Sequence, residues 1–447
     1  MTVTRIAVIG AGMAGLSAAL AAREAGAAVT VLEKSAVAGG NARISAGMML
    51  GSRDAAGLGR YIPDGDPRLL AAFCADYDGA LAWLEGHGLP LEAPIEFGDF
   101  RTVRPIGLGQ PGAREAAMEK LADRARSLGV RIELEAAVTQ VARRGSGFTL
   151  VLADGRSLGA DAVVIAAGGF AANAAMRREY MGPDADALFA RTRPGANGDG
   201  LRLALSLGAA TSANMLAFYG HSLPDCDLPR SEWQPLTPYF ARIGILVNRD
   251  GRRFTDESNS LLEETNPQVA FHQPGGRYWL VFDVRIRLGE GIDTGTSGRL
   301  PLFDWLARAR AHDVSLLEAP TLAALCNLLA GAGVDHVALA AELHAYNHAC
   351  RSGEQLPVPR GDLRIAIESP PFYALRCKAA ITATCGGIAI DASMRVLDAR
   401  GQPIPGLFAA GVDAGGVYGR TYGGFLSWAL VSGRRAGGTA IAPAIVI

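Results

Sequence analysis

A glycine-rich turn near the start of the chain restricts the possible folds more than any other feature of the sequence. A short β-branched run, residues 5–9, leads into residues 10–15, GAGMAG, and an alanine-rich helical stretch continues to about Glu24. A second predicted strand, residues 28–32, ends at Glu33. This succession of strand, GxGxxG turn, helix, strand and acid is typical of a Rossmann-like α/β domain that binds a dinucleotide.

The positions in this turn have separate physical roles. Gly10 allows the tight turn, Gly12 lets the backbone approach a pyrophosphate, and Gly15 lets the helix pack closely on the strand. Met13 and Ala14 open the helix, whose N-terminus offers unpaired N–H groups and the positive end of its dipole to the phosphates. We therefore expect the pyrophosphate of a dinucleotide to lie against this turn.

The glycine turn alone is compatible with both NAD and FAD. The segment that begins at Glu33 favours FAD. Glu33 is placed to accept hydrogen bonds from a ribose, and Lys34 follows it. The next residues are mostly small, which suits a backbone in contact with a flat cofactor. The candidate cofactor contacts among them are Gly39, Gly40, Asn41, Ser45, Ala46 and Gly47.

On these residues the chain resembles the flavoprotein family of fumarate reductases, succinate dehydrogenases and 3-ketosteroid dehydrogenases, and the resemblance covers essentially the whole chain. In that family a glycine- and serine-rich segment after the acid runs along FAD toward its ring. The membrane-bound succinate dehydrogenases carry a histidine in this segment that bonds covalently to FAD, and residues 39–48 contain none. The resemblance therefore implies non-covalent FAD.

A predicted β-meander in the first half of the chain supports the same cofactor. It closes on residues 166–169, AAGG, in which Ala167 and Gly168 are candidate cofactor contacts. Val138 lies where this family touches the adenine end of FAD. The strands predicted for the meander are residues 134–141, 148–152 and 157–165.

The C-terminal segment resembles the part of the family that contacts the ribityl chain and the flavin ring. Residues 404–411 resemble the strand that delivers the ribityl contact, with Gly411 at its end. Val412 occupies the place of the usual acid or amide, and Asp413, one place later, is the candidate for that contact. The resemblance also implies that a helix closing at residues 433–440 points its N-terminus at the flavin pyrimidine, where its dipole stabilises anionic reduced flavin.

The cofactor motifs lie at both ends of the 447-residue chain, which is too long for one compact core. We therefore expect an FAD-binding domain, residues 1–214 and 372–447, and an inserted α+β substrate-capping domain, residues 215–371. Within the insertion, residues 244–254 predict two strands around an Asp-Gly turn, and residues 316–350 predict helices. The expected fold class is α/β, a Rossmann-like domain with a parallel sheet and a β-meander, plus the inserted domain.

The chemistry of the family needs groups that polarise a carbonyl or carboxylate and move a proton at the α-carbon, while the β-carbon exchanges a hydride with flavin N5. Fumarate reductases place a substrate-binding histidine where His221 falls, and Tyr219 is a second candidate beside it. Both residues have a structural alternative, because histidine and tyrosine also serve in packing.

Two other regions depart from the fumarate reductases. Those enzymes have a proton-donating arginine four residues past the glutamate that matches Glu257, and here that place holds Leu261. They have histidines before a Gly-Gly pair where this chain has Thr382 and Ala383. These departures argue against fumarate reductase activity. We expect Glu257 to be structural and Cys385, before the same Gly-Gly pair, to be a packing residue.

Residues 417–426, VYGRTYGGFL, resemble the ketosteroid dehydrogenases, in which a tyrosine hydroxyl and a backbone N–H four residues later polarise the ketone. Tyr422 matches that tyrosine, and the later residue is Leu426. Arg420 is the candidate carboxylate anchor, because a guanidinium binds a carboxylate in a bidentate fork; its alternative is a surface arginine. The expected substrate is therefore a small ketone or carboxylate.

Composition excludes several other classes of function. The formal net charge of −1 gives no basic footprint for nucleic acid, and the chain has no run of about 18 apolar residues that predicts a membrane span. The six cysteines include no CxxC pair, which argues against a metal site and a disulfide framework. The first strand begins almost at the N-terminus and leaves no room for a signal peptide, so we expect a cytoplasmic protein.

The leading hypothesis is an FAD-dependent oxidoreductase that dehydrogenates a small ketone or carboxylate at its α,β-carbons, or catalyses the reverse reduction. Oxidation of an acid, as in tricarballylate dehydrogenase, is an alternative within this class. The rivals in other classes are a non-catalytic FAD-binding redox partner or sensor and an NAD-linked dehydrogenase. The polar set Tyr219, His221, Arg420 and Tyr422 argues against a non-catalytic site. The sequence has no second GxGxxG turn, so the electron acceptor stays unknown.

Overall fold

The computed structural model of the protein describes residues 3–96, 101–107, 110–258, 263–285, 302–361 and 364–441. The chain divides into two units. The first unit comprises Met1–Met181, Thr192–Phe218 and Ala383–Ile447, and the second comprises Gly182–Arg191 and Tyr219–Thr382. The domain boundaries expected from the sequence, with an insertion over residues 215–371, stay a prediction.

Strands and helices occur in both units, and their bounds in the described residues are as follows. The strands are β1 (Arg5–Ile9), β2 (Ala28–Leu32), β3 (Met48–Gly51), β4 (Ile95–Glu96), β5 (Thr102–Pro105), β6 (Arg131–Glu133), β7 (Val138–Arg144), β8 (Gly147–Leu152), β9 (Ser157–Ala160), β10 (Ala162–Ile165), β11 (Phe189–Ala190), β12 (Phe218–Pro224), β13 (Ile245–Val247), β14 (Arg277–Asp283), β15 (Leu316–Ala319), β16 (Phe372–Thr384), β17 (Arg395–Leu397) and β18 (Pro403–Ala409). The α-helices are α1 (Met13–Glu24), α2 (Ala55–Tyr61), α3 (Pro67–Gly86), α4 (Ala113–Ser127), α5 (Ala174–Met181), α6 (Asp199–Ser206), α7 (Asn266–Ala270), α8 (Leu302–Arg310), α9 (Leu322–Gly331), α10 (His336–Ser352) and α11 (Phe425–Thr439).

A six-stranded sheet forms the centre of the first unit, in the order β17-β18-β10-β1-β2-β6. The strands from β18 to β6 run parallel, and β17 pairs antiparallel with β18 at the edge. Strand β1 is buried from Ile6 to Ile9, as expected for a central parallel strand covered on both faces. This arrangement places the carboxyl ends of β1, β2 and β10 at one edge of the sheet. The predicted Rossmann-like α/β fold is confirmed.

Helix α11 packs against α1 through two glycines. A Cβ atom on Gly433 would lie 2.3 Å from the backbone oxygen of Ala14, and one on Gly437 would lie 2.1 Å from that of Ala18. Because ordinary contacts to a Cβ begin at 3.4 Å, only glycine allows this approach. The close contact fixes the C-terminal helix on the helix that follows the glycine turn.

The predicted β-meander is present, but two of its predicted strand bounds were wrong. Strands β7, β8 and β9 form an antiparallel three-stranded sheet. Glu135 has φ 54°, which interrupts an extended strand, so β7 begins at Val138 and not at residue 134. The third predicted strand divides at Asp161, where the Arg5 guanidinium binds the carboxylate at 2.8 Å. Its first part, β9, stays in the meander, and its second part, β10, joins the parallel sheet.

The second unit is built on β16, which is flanked by β11 and β14 in the sheet order β11-β16-β14-β13; β12 and β15 also pair with β16. The prediction of two strands over residues 244–254 was wrong for the second strand, because β13 pairs with β14. The turn after β13 is closed by a bridge between Val247 and Arg253 and by the Asn248 N–H, which donates to the backbone oxygen of Arg252 at 3.0 Å. The helical prediction for residues 316–350 was wrong in its first residues, since β15 extends the sheet there before α9 and α10 begin.

Candidate functional site

The glycine turn after β1 in the first unit combines tight packing with open space. A Cβ atom on Gly10, whose φ is 102°, would lie 2.3 Å from the backbone oxygen of Ala166, and one on Gly15 would lie 1.9 Å from that of Gly10. A Cβ on Gly12, the N-cap of α1, would meet no atom of the described residues within 4 Å. The outer glycines are therefore required for packing, and the middle one borders open space at a helix N-terminus, the kind of place where proteins bind phosphate groups.

Glu33 lies at the end of β2 and is buried, with an exposed fraction of 7%. Its two carboxylate oxygens accept hydrogen bonds from the backbone N–H groups of Ala11, at 2.8 Å, and Ser35, at 2.9 Å. Lys34 donates to Asn197 Oδ1 at 2.8 Å and to Asp199 Oδ2 at 2.6 Å. Glu33 thus holds the glycine turn, while Lys34 ties the end of β2 to the start of α6.

The segment after Glu33 lies directly against the glycine turn. The Gly39 N–H donates to the backbone oxygen of Ala11 at 2.7 Å, and Gly39 forms a β-bridge with Gly12. The φ angles of Gly39 and Gly40, 111° and 50°, are left-handed, which accounts for glycine at both positions. Gly39 and Gly40 therefore lie beside Gly12 in the first unit.

The rest of this segment is held by its own polar side chains. Asn41 donates to Thr192 Oγ1 at 2.7 Å and accepts from the Arg193 N–H at 2.9 Å. Ser45 donates to the backbone oxygen of Ala42 at 2.8 Å and accepts from the Gly47 N–H at 3.2 Å. Ala46, between them, is partly exposed, as is Ser45, whereas Gly47 is buried. These hydrogen bonds fix a small-residue surface beside the turn.

Asp413 holds the glycine turn that follows β10. Its carboxylate oxygens accept from the N–H groups of Gly168, at 2.9 Å, and Gly169, at 3.2 Å. The carboxyl group is buried; burial raises its pKa, and the hydrogen bonds from these amides act in the opposite direction. The contacts that the structure gives to Asp413 are therefore structural, and its predicted ribityl contact stays a prediction.

Four further predicted cofactor positions, Ala167, Gly168, Gly411 and Val138, lie in the same unit. A Cβ on Gly168 would meet no atom of the described residues within 4 Å, so this turn, together with Ala167, also borders open space. Gly411, with φ 66°, donates its N–H to Ser432 Oγ at 2.9 Å and accepts from Trp428 Nε1 at 3.0 Å. Val138, at the start of β7, is buried.

The N-terminus of α11 carries the predicted ketone-binding residues. Its N-cap, Gly424, has φ 118°, and the Tyr418 hydroxyl donates to the backbone oxygen of Gly424 at 3.0 Å. Tyr422 is buried, with its ring centroid 5.9 Å from that of Phe425 in a stacked arrangement and 6.1 Å from that of Tyr418. Leu426 lies in the first turn and is partly exposed. The tyrosine is thus fixed by aromatic packing at a helix N-terminus.

Arg420 is exposed, and its segment is fixed by the loop after α2. Its backbone N–H donates to Asp64 Oδ2 at 2.9 Å, and the hydroxyl of Thr421 donates to the backbone oxygen of Tyr61 at 2.6 Å. Asn214 Nδ2 donates to the backbone oxygens of both Asp64 and Tyr418. These hydrogen bonds therefore fix the backbone of Arg420, and the residue itself is exposed to solvent.

In the second unit, the structure brings Tyr219 and His221 together. Both lie on β12, where residues two apart share a face, and the Tyr219 hydroxyl is 2.7 Å from His221 Nε2. His221 Nδ1 is 3.1 Å from Oε1 of Glu263, and the Tyr239 ring lies 5.2 Å from the imidazole. Tyr219 is half-buried, whereas His221 and Glu263 are 1% and 0% exposed. Sequence reasoning missed Glu263, which has no motif around it.

Glu257 has contacts that account for a structural role. Its buried carboxylate pairs with Arg253 at 2.7 Å and with Arg360, and it accepts from the Leu246 N–H at 2.8 Å. Both guanidinium groups lie over the Tyr346 ring. Leu261, the residue that replaces the proton-donating arginine of fumarate reductases, lies outside the described residues.

Two classes of feature are absent from the described residues. No group of three or more His, Cys, Asp or Glu side chains is placed there to hold a metal ion. None of the helices in the same residues has both the length and the apolarity needed to cross a membrane.

Cys385, which the sequence predicted to be a packing residue, is buried, and its backbone N–H donates to the backbone oxygen of Ala217 at 2.9 Å.

Comparisons with known proteins agree with this geometry. The FAD binding domain family matches residues 5–424. A fumarate reductase (cytochrome) of Shewanella frigidimarina is 29% identical over 97% of this chain and 76% of its own. A 4-oxocyclohexanecarboxylate 2-dehydrogenase of Sinomonas cyclohexanicum is 27% identical over 97% of this chain and 93% of its own. The fold is similar to that of a 3-ketosteroid Δ1-dehydrogenase from Sterolibacterium denitrificans, solved with 1,4-androstadiene-3,17-dione. Its TM-score is 0.76 at 20% identity, over 98% of this chain and 99% of the other.

Proposed function

Because the chain belongs to the FAD binding domain family, we propose that it catalyses the α,β-dehydrogenation, or the reverse reduction, of a small ketone or carboxylate. The protein is an FAD-dependent oxidoreductase that acts on CH–CH groups, as the fumarate reductase and dehydrogenase relatives indicate. Bound FAD supplies hydride exchange at its N5 atom.

The open space beside Gly12 is the observation that carries the proposal, since it lies at the N-terminus of α1 and Gly12 forms a β-bridge with Gly39. The amides of Met13 and Ala14 would hold the pyrophosphate, and Glu33 would accept from a ribose hydroxyl. The small residues at 39–47 would lie along the cofactor. Leu426, in the first turn of α11, would contribute a backbone N–H and the helix dipole to the pyrimidine side.

Tyr422 and Arg420 define two substrate classes. A ketone would receive a hydrogen bond from the Tyr422 hydroxyl, whose ring is fixed between Tyr418 and Phe425. A carboxylate would pair with the Arg420 guanidinium. The fumarate reductases resembled by this chain have another arginine two places before the Gly423-Gly424 pair, and this chain has Thr421 there, whose hydroxyl donates to the backbone oxygen of Tyr61. This replacement favours a ketone, or a compound that bears both groups, over a small dicarboxylate.

The test uses compounds for which the relatives are named. The purified protein with FAD would be mixed without oxygen with 4-oxocyclohexanecarboxylate, and separately, after reduction, with fumarate or 1,4-androstadiene-3,17-dione. We expect the first compound to bleach the flavin absorbance, and at least one of the others to restore it. Free FAD with the same compounds is the control. If none of the three changes the absorbance of the protein beyond that control, the proposed substrate class is wrong.

We also propose a cytoplasmic location; the electron acceptor stays unknown. All six cysteines are free thiols in the structure, which suits a reducing compartment. Fractionation of cells that produce the full-length chain tests the location, and recovery in a periplasmic or extracellular fraction would contradict it.

A further inference from the structure

A cavity of about 240 Å³ lies in the first unit, between helix α3 and the small sheet formed by β3, β5 and β4. All of the side chains that line it belong to residues 53–104, within Met1–Met181 of that unit. None of them is among the residues assigned above to FAD or to the substrate. Small-molecule sites usually have volumes of about 300–1,000 Å³, so this cavity fits a compound smaller than most ligands of that kind.

One wall of the cavity is a single face of α3. Asp78, Leu81, Ala82 and Glu85 line it, and their spacing of three and four residues places them on the same side of the helix. Leu81 and the neighbouring Tyr77 are buried and form an apolar floor. The two carboxylates lie about 10.5 Å apart along the helix axis. The cavity is therefore apolar in its middle and polar at both ends.

An arginine pairs with the carboxylate at each end. Arg53 Nε is 2.5 Å from Asp78 Oδ2, and Arg104 Nη2 is 2.9 Å from Glu85 Oε1. Arg104 Nε also donates to the backbone oxygen of Glu92 at 2.7 Å, which holds this side chain in place. Because a guanidinium has several N–H groups, each arginine can donate to a ligand and keep its ion pair.

The charges at the two ends select an uncharged ligand. Each positive guanidinium is already balanced by a carboxylate, so neither end has an excess of positive charge to attract an anion. A carboxylate ligand would also meet the negative charges of Asp78 and Glu85, whereas a carbonyl oxygen would accept hydrogen bonds without that repulsion. The ends therefore suit neutral acceptor oxygens.

We propose that this cavity binds a small uncharged ring compound that carries a carbonyl oxygen at each end. The ring lies on Tyr77 and Leu81, where its apolar surface leaves water. The two oxygens accept hydrogen bonds from Arg53 and Arg104, which fix the orientation of the ring. This binding site goes beyond the proposed function and does not rest on it.

Tyr77 connects the floor of the cavity to strand β3. Its hydroxyl donates to the backbone oxygen of Met49 at 2.6 Å and lies 3.1 Å from that of Thr102, so it bridges β3 and β5. A Cβ atom on Gly51, at the end of β3, would lie 2.2 Å from the Tyr77 ring. The ring and the strand are therefore in direct contact, and a ligand on Tyr77 also holds β3.

Strand β3 in turn contacts the N-terminus of α11. The backbone oxygen of Leu50 accepts a hydrogen bond from the Ser427 hydroxyl, and a Cβ atom on Gly424, the N-cap of α11, would lie 2.1 Å from that oxygen. All of these residues belong to the first unit. The resemblance assigns this helix end to the flavin. A ligand in the cavity and FAD thus order the same strand and helix end from opposite sides, so we expect each to favour binding of the other.

The binding test compares Ala82→Cys with Ala75→Cys. Both alanines are exposed on α3, two turns apart, and only Ala82 is among the residues that line the cavity. The FAD-loaded variants would be treated anaerobically with N-ethylmaleimide, and labelling of the introduced thiol followed by peptide mass spectrometry. The three added compounds are 1,4-cyclohexanedione, cyclohexanone and 1,4-cyclohexanedicarboxylate, which share one ring and differ in their oxygens.

We expect the dione to slow labelling of Ala82→Cys by about tenfold at about ten times its dissociation constant, because only the empty cavity reacts. Cyclohexanone, which lacks one acceptor, should need a concentration about tenfold higher for the same effect. The dicarboxylate should give no protection, and none of the compounds should slow labelling of Ala75→Cys. An unchanged labelling rate of Ala82→Cys with the dione, or equal protection of both variants, would overturn the site.

A second variant tests the contact at one end of the cavity. Arg53 is largely exposed, with 66% of its side chain accessible, so Arg53→Gln should leave the fold intact. Combined with Ala82→Cys, it should raise the protecting concentration of the dione by about tenfold and leave that of cyclohexanone less affected. If the protecting concentration of the dione stays unchanged, the arginine does not bind a carbonyl oxygen, and the ligand class is wrong.

The link to α11 is tested by repeating the dione titration of Ala82→Cys with and without FAD. We expect the FAD-loaded protein to be protected at a concentration lower by about fivefold or more, and the dione to lower the Kd of FAD by the same factor. Equal protecting concentrations would overturn the link and leave the binding site standing. Neither titration requires turnover, so failure of the proposed dehydrogenation would leave both results unchanged.

Discussion

Gly12→Ala should weaken FAD binding, whereas Gly15→Ala should destabilise the fold, although the two glycines belong to one turn. At Gly12 the added Cβ meets no described atom within 4 Å, and the backbone there, with φ −76° and ψ −175°, suits any residue. The fold should lose only about 1 kcal/mol, the usual cost of alanine at an N-cap. The Cβ would instead occupy the space assigned to the pyrophosphate. Loss of one charge-assisted hydrogen bond, about 1.5–3 kcal/mol, weakens FAD binding about 10- to 150-fold.

At Gly15 the added Cβ would lie 1.9 Å from the backbone oxygen of Gly10, about 1.5 Å closer than the 3.4 Å at which ordinary contact begins. A backbone atom cannot move aside as a flexible side chain can, so α1 would have to shift on the sheet. Overpacking of this kind costs about 3 kcal/mol or more. Gly15→Ala should therefore lose thermal stability even without FAD.

The assay reconstitutes each FAD-free variant with FAD, follows the quenching of flavin fluorescence for Kd, and follows thermal unfolding by circular dichroism. The account predicts a weakened Kd with a nearly unchanged Tm for Gly12→Ala, and a lowered Tm for Gly15→Ala. Wild-type FAD affinity in Gly12→Ala would refute the placement of the pyrophosphate. Equal Tm values for the two variants would refute the packing argument.

Three further predictions follow from the site and the second unit. Acid precipitation should release all flavin into the supernatant, because residues 39–48 contain no histidine to bond to it; flavin that stays with the chain would contradict non-covalent binding. Tyr422→Phe should lower kcat with a ketone by about 100- to 1,000-fold while FAD stays bound. Arg420→Ala should raise KM for an acidic substrate and leave KM for a neutral ketone unchanged. Wild-type kinetics in both variants would place the chemistry elsewhere. Glu257→Gln should lower the free energy of unfolding by about 3–5 kcal/mol in a urea titration, because it leaves the buried guanidinium groups of Arg253 and Arg360 without their carboxylate; an unchanged midpoint would refute that role.

The glycine turn was predictable from the sequence because its geometry is local. The roles expected for Gly10, Gly12 and Gly15 involve the strand before them and the helix after them, and the structure places these elements as the sequence predicted. Strands β1 and β2 and helix α1 follow from the same signal. The resemblance to fumarate reductases singled out His221 and Tyr219 as separate candidates. Their contact comes from the structure, in which both lie on β12 and share a face.

Other features depend on pairing between distant segments and had no local signal. Glu263 is 42 residues from His221 in the chain, and only the folded second unit brings their side chains together. Residues 316–319 have apolar character compatible with a helix, but the edge of β16 recruits them as β15. The C-terminal part of the third predicted meander strand was likewise taken into the parallel sheet, where β10 pairs with both β1 and β18.

The central claim is that the protein moves two hydrogens between adjacent carbons and bound FAD. The most direct measurement mixes equal amounts of the oxidised holoprotein and 4-oxocyclohexanecarboxylate without oxygen, and determines both flavin absorbance and the mass of the organic product. The account predicts one flavin bleached for each molecule converted, and a product lighter by two hydrogens with a new C=C bond beside the ketone. A flavin that stays oxidised beside unchanged compound, or a product that has gained oxygen, would contradict it.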